Sequence, residues 1–208
     1  MTTATLDVVD ELVGVRAGDA LDALRRRRPV TRAQLQASYD ALIAPLDDAE
    51  FPLAERLLVA AFATRATADD ATAAYYADAA RAADPERAAL VLAEAGTAAT
   101  AGPFGAYAEP GLQAESTDGR RYEPSLTARD ALGERLSAAL VHAHLLTSRP
   151  READGGAQAR LLDAGWSIDG IVTLSQLVSF LAFQQRVAAG LRALAPTLRP
   201  ASTEEVSA

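Results

Sequence analysis

The chain has 208 residues, half of them hydrophobic, and a formal net charge of −8. This composition allows one substantial core, and the acidic balance argues against nucleic acid and anionic membranes as main partners, because phosphate binding requires a basic surface. Cysteine is absent, which excludes disulfides, thiolate metal sites and thiol nucleophiles. Lysine is absent as well, which excludes catalysis through a lysine Schiff base.

The N-terminus has neither the basic start nor the apolar core of a signal peptide, so a cytoplasmic location is the default expectation. The long apolar stretch that follows Ser167 is interrupted by Ser175, Gln176 and Ser179. It therefore falls short of the roughly 18 to 20 apolar residues that a bilayer requires. We expect this stretch to form a buried helix, and we expect no membrane partner.

Apolar residues recur at helical spacing along almost the whole chain, and strand-like alternation is nearly absent. Two short helices precede Pro29 and form an N-terminal helical extension over residues 1–30. The pattern then predicts a helix that is capped by Thr31 and runs to about Ile43. A further helix is expected to have Pro52 in its first turn, where the fixed φ of proline suits a helix start.

Thr67, with Asp70 three residues later, has the form of another helix start. Asp84 is expected to cap the next helix, which should end at Gly96. Turn and breaker pairs then fill residues 96–126 without sustained periodicity. A loop of this length inside a compact domain is usually functional or mobile.

Helical periodicity resumes at Thr127 and continues to Ser148. A short helix over residues 157–164 follows. The whole pattern predicts one all-α domain over residues 31–194, with a polar tail over residues 195–208.

The longest apolar stretch follows Gly165, which suits the end of a helix, and Ser167, which suits the start of one. It ends near Leu194. Its apolar residues cover two adjacent helical faces, the first with Ile171, Leu174, Val178 and Leu181 and the second with Val172, Phe180, Phe183, Val187 and Leu191. An apolar surface wider than one stripe predicts a helix that is buried on more than one side.

Two segments resemble a known family. Residues 52–60, Pro-Leu-Ala-Glu-Arg-Leu-Leu-Val-Ala, resemble the glutamate-bearing helix of the carboxymuconolactone decarboxylase and alkylhydroperoxidase D-like (CMD/AhpD-like) superfamily. Residues 161–172, which contain an Ala-Gly-Trp-Ser turn, resemble the late helical element of the same families. The resemblance covers most of residues 35–194 and implies an AhpD-like helical bundle, with helices packed across the subunits of a trimer or hexamer.

The resemblance also implies a position for the catalytic motif. Peroxidase members of the family use a glutamate followed along the chain by Cys-x-x-Cys-x-x-x-His, and Glu55 matches that glutamate. Thr67 and Asp70 stand at the two cysteine positions, and Ala74 stands at the histidine position. A threonine cannot cycle through sulfenic acid and disulfide. Peroxidase-related antioxidant activity therefore ranks behind the other functions considered.

His142 and His144 are the only histidines. Two residues turn an α-helix by about 200°, so the two rings point to nearly opposite sides and cannot jointly bind a metal. We expect no metal and no cofactor, although one histidine could line a pocket as a proton shuttle. Tyr75 and Tyr76 either line a small-molecule pocket or serve as interface residues.

The leading interpretation is a cysteine-free CMD/AhpD-like protein that binds a small molecule or acts as the non-redox partner of a cysteine-bearing relative. The alternative is a cofactor-free acid–base enzyme, a decarboxylase or isomerase of a small organic acid. In that case Glu55 carries the proton, and a histidine or tyrosine assists. The opposing interpretation gives Glu55 no chemistry and pairs it with Arg56 or with solvent.

Overall fold

A computed structural model describes residues 7–198 of the chain. Residues 1–6 of the predicted N-terminal extension and most of the predicted polar tail lie outside the described residues. The described chain is helical and has no β-strand beyond one isolated bridge, which confirms the all-α prediction. Its α-helices are α1 (Val8–Val13), α2 (Ala20–Arg26), α3 (Pro29–Ile43), α4 (Leu53–Thr67), α5 (Ala71–Ala83), α6 (Pro85–Ala98), α7 (Leu126–Ser148), α8 (Gly155–Asp163) and α9 (Ile168–Leu194).

Helix α4 occupies the centre of the bundle. It packs against α5, α6, α7 and α9, and every residue from Leu57 to Ala63 is buried. A helix that is apolar around its whole circumference is stable only inside a core. The alanines at positions 60, 61 and 63 leave room for neighbouring helices to approach closely.

Helix α9 lies alongside α4 and also contacts α1, α3, α7 and α8, so the prediction that it is buried on more than one side is confirmed. Gly165 adopts a φ of 88° before it, and Ser167 caps it by accepting a hydrogen bond from the Gly170 amide at 3.0 Å. The predicted second buried face is only partly present, because Val172 and Phe183 are 50% and 47% exposed.

No single helix of residues 7–198 is long and apolar enough to cross a membrane. Helix α8 and the helix after it meet the length and composition test only as a pair, and that pair is bent by 119°.

The predicted start of α3 is wrong. Helix α3 begins at Pro29 with Arg28 in the N-cap position, so Thr31 lies inside the helix and makes no cap. Proline needs no amide partner and has a preset helical φ, which makes the first helical position more favourable for Pro29 than a place outside the helix. Other predicted boundaries are confirmed, namely the end of α3 at Ile43, the cap of α6 by Asp84 and the end of α7 at Ser148.

The predicted helix start at Thr67 is also wrong. Thr67 is the last residue of α4, and its hydroxyl donates to the Ala63 carbonyl at 2.8 Å within the same helix. Asp70 is the N-cap of α5 and accepts hydrogen bonds from the amides of Thr72 and Ala73, each at 2.9 Å. The Asp70 carboxylate accepts two amide hydrogens at the N-terminus of α5, where the helix dipole favours negative charge. It is therefore a stronger cap than the Thr67 hydroxyl, which already donates to a carbonyl of the preceding turn.

An irregular segment follows α6. Helix α6 ends at Ala98, two residues beyond the predicted end at Gly96, and residues 99–125 then contain a short 3₁₀ turn at Pro110–Glu115 and the isolated bridge between Gly105 and Thr117. The segment is anchored to the bundle at Tyr122, which is buried near the start of α7. Its last residues therefore have a defined position next to α7, where a cavity is found.

Candidate functional site

Glu55 lies in the first turn of α4 and forms an ion pair with Arg135 of α7. The Arg135 guanidinium also lies 4.0 Å from the centroid of the Trp166 ring and donates to the Glu50 carbonyl at 2.6 Å. Arg56, the expected partner of Glu55, is buried and donates to two backbone carbonyls instead. Glu55 therefore joins α4 to α7 and to the turn before α9.

The family-motif positions do not converge on Glu55. Thr67 is twelve residues further along the same helix, which places it about 18 Å away at a rise of 1.5 Å per residue. Asp70 uses its side chain to cap α5, and Ala74 is exposed on that helix. The matched positions therefore do not form one site with the glutamate.

Tyr75 and Tyr76 connect three helices. The hydroxyl of Tyr76, a residue with no exposed surface, donates to Gln184 Oε1 at 2.7 Å. The hydroxyls of Tyr75 and Tyr39 share a hydrogen bond of 2.7 Å, and burial raises the pKa of Tyr76 and of Tyr39 well above the ordinary tyrosine value. Both predicted pocket residues therefore have their hydroxyls engaged with the protein.

His144 packs beside a buried polar network that fixes the end of the irregular segment. Its ring centroid lies 5.7 Å from that of Tyr122, and burial lowers the His144 pKa. The Tyr122 hydroxyl donates to Glu94 Oε2 at 2.9 Å, and the Ser125 hydroxyl donates to Glu94 Oε1 at 2.6 Å. This network attaches α6 to the start of α7.

His142, two positions earlier on α7, has different neighbours, as the spacing predicts. Its Nε2 lies 3.0 Å from Ser175 Oγ, which lies 2.8 Å from the Ile171 carbonyl oxygen. Because the hydroxyl has a single proton and the carbonyl can only accept, we infer that Ser175 donates to Ile171 and accepts from His142 Nε2–H. The neutral ring then has an unprotonated Nδ1.

Burial lowers the pKa of His142 to about 4, and the positive charge of Arg160 contributes in the same direction. The ring therefore stays neutral near pH 7. A neutral imidazole with its proton on Nε2 presents Nδ1 as a hydrogen-bond acceptor.

A cavity of about 320 Å³ lies between α7 and α8, and His142 forms part of its lining. Half of its lining residues are apolar, among them Val141, Leu145 and Leu161, and most of the lining surface is apolar. Ser137 adds a hydroxyl group to the lining. The cavity thus combines a mainly apolar wall with two neutral polar groups, which is typical of small-molecule sites.

Charged side chains of both signs surround this cavity. Arg129 lies 3.6 Å from Glu123 across the start of α7, and Glu134 and Arg160 also contribute to the lining. Glu123, Glu134 and Arg160 are exposed. Because positive and negative groups are mixed, the rim does not select one sign of ligand charge.

Two neutral polar atoms of lining residues, Ser137 Oγ and His142 Nδ1, have no hydrogen-bond partner among the described residues, and neither does Nε of the charged Arg129. A buried polar group without a partner costs on the order of 1–3 kcal/mol. The two residues are five positions apart, or about 140° around the helix, with Val141 between them. Both residues line the cavity, so a molecule inside it would lie beside a serine on one flank and an imidazole on the other.

Helix α7 is interrupted at Gly133, where φ is 79° and ψ is 164°. This backbone conformation is accessible almost only to glycine. The break separates Arg129 from Ser137, so the two parts of α7 approach the cavity from different directions.

The sequence analysis did not identify Ser137, Arg129 or Arg160 as site residues. The signals available in the sequence were a glycine inside a helical pattern, Gly133, and a serine on the apolar face of that helix, Ser137.

Within residues 7–198, no group of three or more histidine, aspartate or glutamate side chains is arranged to hold a metal ion. Searches of protein-family models, curated proteins and solved structures give no match to this chain.

Proposed function

We propose that this protein binds a small, mainly apolar molecule with a hydrogen-bond donor in the cavity between α7 and α8. The observation that carries the proposal is the buried acceptor Nδ1 of His142, which has no partner among the described residues and belongs to a residue that lines the cavity. The Ser137 hydroxyl supplies a second polar contact. The volume of about 320 Å³ lies at the small end of the roughly 300–1,000 Å³ that is common for ligand pockets.

Binding fits this geometry better than acid–base catalysis. An effective general base has a pKa near the working pH, whereas burial lowers the His142 pKa to about 4. Glu55 forms an ion pair with Arg135 and is absent from the lining of this cavity. The alternative of a decarboxylase or isomerase that uses Glu55 has no specific support in the geometry.

The proposal includes the family: a cysteine-free, cytoplasmic CMD/AhpD-like protein that binds a ligand or accompanies a cysteine-bearing relative. The all-α architecture supports this part. So do the position of Glu55 in the first turn of α4 and the turn from Gly165 to Ser167 before α9.

A closed homo-oligomer, a trimer or hexamer, also belongs to the proposal. Ile168, Val172 and Phe183 lie on one stripe of α9 and are 72%, 50% and 47% exposed. Neighbouring subunits would remove these side chains from water. Native mass spectrometry tests this part separately: a closed oligomer supports it, and a monomer at micromolar concentration contradicts it.

The ligand proposal is tested by NMR titration with phenol, anisole and toluene, which have similar shapes. Only phenol carries a donor for His142 Nδ1, and one hydrogen bond contributes about 1 kcal/mol. We expect phenol to bind about three- to tenfold more tightly than anisole or toluene. In His142→Phe this advantage should disappear, while toluene binding, as the internal control, should remain. Equal affinities of the wild-type protein for all three compounds, or no binding, would contradict the proposal.

A further inference from the structure

A second cleft, of about 370 Å³, lies between α2, α3 and the C-terminal part of α9. We call it the arginine cleft, after the positive side chains in its lining, Arg25, Arg27, Arg28 and Arg32. Its remaining lining is mostly apolar and includes Leu24, Leu35, Val187 and Leu191. The cleft therefore combines positive charge with an apolar floor.

Two of these arginines belong to an ion-pair network of the N-terminal helices. Arg25 lies 2.9 Å from Asp7 and also pairs with Asp10. Arg32 pairs with both of these carboxylates and lies 3.2 Å from Asp22. Arg25 and Asp22 are buried. This network compensates the charges of Arg25 and Arg32 and holds one wall of the cleft in place.

The positive charges of Arg27 and Arg28 are not balanced by ion pairs with the described residues. Both are exposed, and in the part of the chain that the structure describes neither forms an ion pair. The C-terminus of α2, at Arg26, attracts positive charge through its helix dipole. That attraction explains arginines at this position, but it does not explain an apolar cleft beside them in a chain with a net charge of −8.

We propose that the arginine cleft binds a monomeric anionic amphiphile: a carboxylate or phosphate head group at Arg27 and Arg28, with an alkyl or acyl chain along the apolar floor. Guanidinium groups bind both anions through paired, charge-assisted hydrogen bonds. Leu35 at the base of the floor is buried, so a chain placed there loses contact with water. This site is separate from the cavity between α7 and α8 and does not depend on the ligand proposed for that cavity.

The test is isothermal titration calorimetry with decanoate below its micelle concentration. Acetate supplies the head group without the chain, and decyltrimethylammonium supplies the same chain with the opposite charge. The cleft variant is Arg27→Gln with Arg28→Gln. The matched control is Arg81→Gln with Arg120→Gln, which makes the same charge change at exposed arginines outside the cleft.

We expect decanoate to bind the wild-type protein and the control variant equally. The cleft variant should bind it on the order of tenfold more weakly, since two charge-assisted contacts are lost. Acetate and decyltrimethylammonium should bind more weakly than decanoate to the wild-type protein.

Three results would overturn the proposal. The first is equal decanoate binding by the cleft and control variants, and the second is acetate binding as tight as that of decanoate. The third is binding to vesicles of anionic phospholipid with none to monomeric decanoate, which would assign the arginines to a membrane surface. Circular dichroism spectra identical to wild type would show that both double variants are folded.

Discussion

The Nε2 atom of His142 on α7 lies 3.0 Å from the hydroxyl oxygen of Ser175 on α9. Because that hydroxyl uses its own proton for the Ile171 carbonyl at 2.8 Å, the contact holds the imidazole proton on Nε2. Helix α9 thus positions the ring and leaves Nδ1 as its acceptor. The proposed ligand site depends on this relationship.

Burial of His142 makes stability depend on pH. The folded-state pKa is lowered from 6.5 to about 4, so between these values the unfolded chain binds a proton that the folded chain does not. The free energy of unfolding should therefore fall as the pH is lowered through this window, by about 2 kcal/mol between pH 7 and pH 5 from His142 alone. Urea unfolding at the two pH values measures the change.

His142→Gln is the control for this pH dependence. The pKa of His144 is lowered in the same direction, so the variant should lose only part of the dependence. The aspartates and glutamate whose pKa values are lowered have ordinary values of 3.8 and 4.5, so their effect falls mostly below pH 5. A wild-type protein that is equally stable at pH 7 and pH 5, or an unchanged slope in His142→Gln, would contradict the burial of a neutral ring.

Ser137→Ala should stabilise the free protein. The Ser137 hydroxyl is buried and has no partner within residues 7–198, and removing such a group should raise the free energy of unfolding by about 1 kcal/mol. Ser125→Ala on the same helix should have the opposite effect. The Ser125 hydroxyl accepts from the Ala128 amide at 3.1 Å and donates to Glu94 at 2.6 Å, so its loss should cost about 1–2 kcal/mol. Urea unfolding compares the two variants. If Ser137→Ala destabilises the protein, the claim that this hydroxyl has no hydrogen-bond partner is wrong.

Gly133→Ala should destabilise the protein although no atom of the described residues lies within 4 Å of the position that a β-carbon would occupy. The cost, about 1–3 kcal/mol, comes from the backbone conformation alone. Gly190→Ala is the matched control, because Gly190 lies inside α9 with equally open surroundings and should stabilise the helix by about 0.5–1 kcal/mol. Thermal unfolding would show melting temperatures that move in opposite directions. If the melting temperature rises in both variants, α7 continues through Gly133 without a break.

Helix boundaries were predictable where a single local signal decided them. Ser167 comes two residues after Gly165 and precedes a long apolar run, and Asp84 precedes a proline; both cap as expected. The start of α5 was predicted wrongly because Thr67 and Asp70 can both cap a helix. Which of them does so depends on where α4 ends, and the packing of α4 in the core determines that.

The surroundings of Glu55 were not predictable from local sequence. Its partner Arg135 is separated from it by 80 residues, whereas the adjacent Arg56 was the nearer candidate in sequence. Arg56 instead points into the core, where it donates to the carbonyls of Leu42 and Phe51. Helical spacing shows which residues share a face, but it does not show which face of another helix they meet.

The cavity between α7 and α8 was missed for the same reason. Polar residues such as Ser137 occur in many helices, and their meaning depends on whether a partner is present after packing. The histidine spacing correctly predicted that His142 and His144 have different neighbours. It contained no information about Ser175, 33 residues away.

Arg135→Gln should destabilise the protein by about 1–3 kcal/mol, because it removes the ion pair with Glu55, the bond to the Glu50 carbonyl and the stacking on Trp166. Arg81→Gln is the matched control. Among the described residues Arg81 pairs only with Asp78, at an exposed site, where the change should stay within about 0.5 kcal/mol. Urea unfolding midpoints compare the two variants, and equal effects would mean that the Arg135 contacts contribute no more than a surface pair.

The most direct test of the ligand site is a long-range proton–nitrogen correlation spectrum of the histidine side chains. The chain contains only His142 and His144, and a spectrum of His144→Gln assigns the signals. At pH 7 we expect a neutral His142 with its proton on Nε2, and an Nδ1 resonance that shifts when phenol is added and stays in place with toluene. A proton on Nδ1, or an Nδ1 resonance unaffected by phenol, would contradict the proposed binding site.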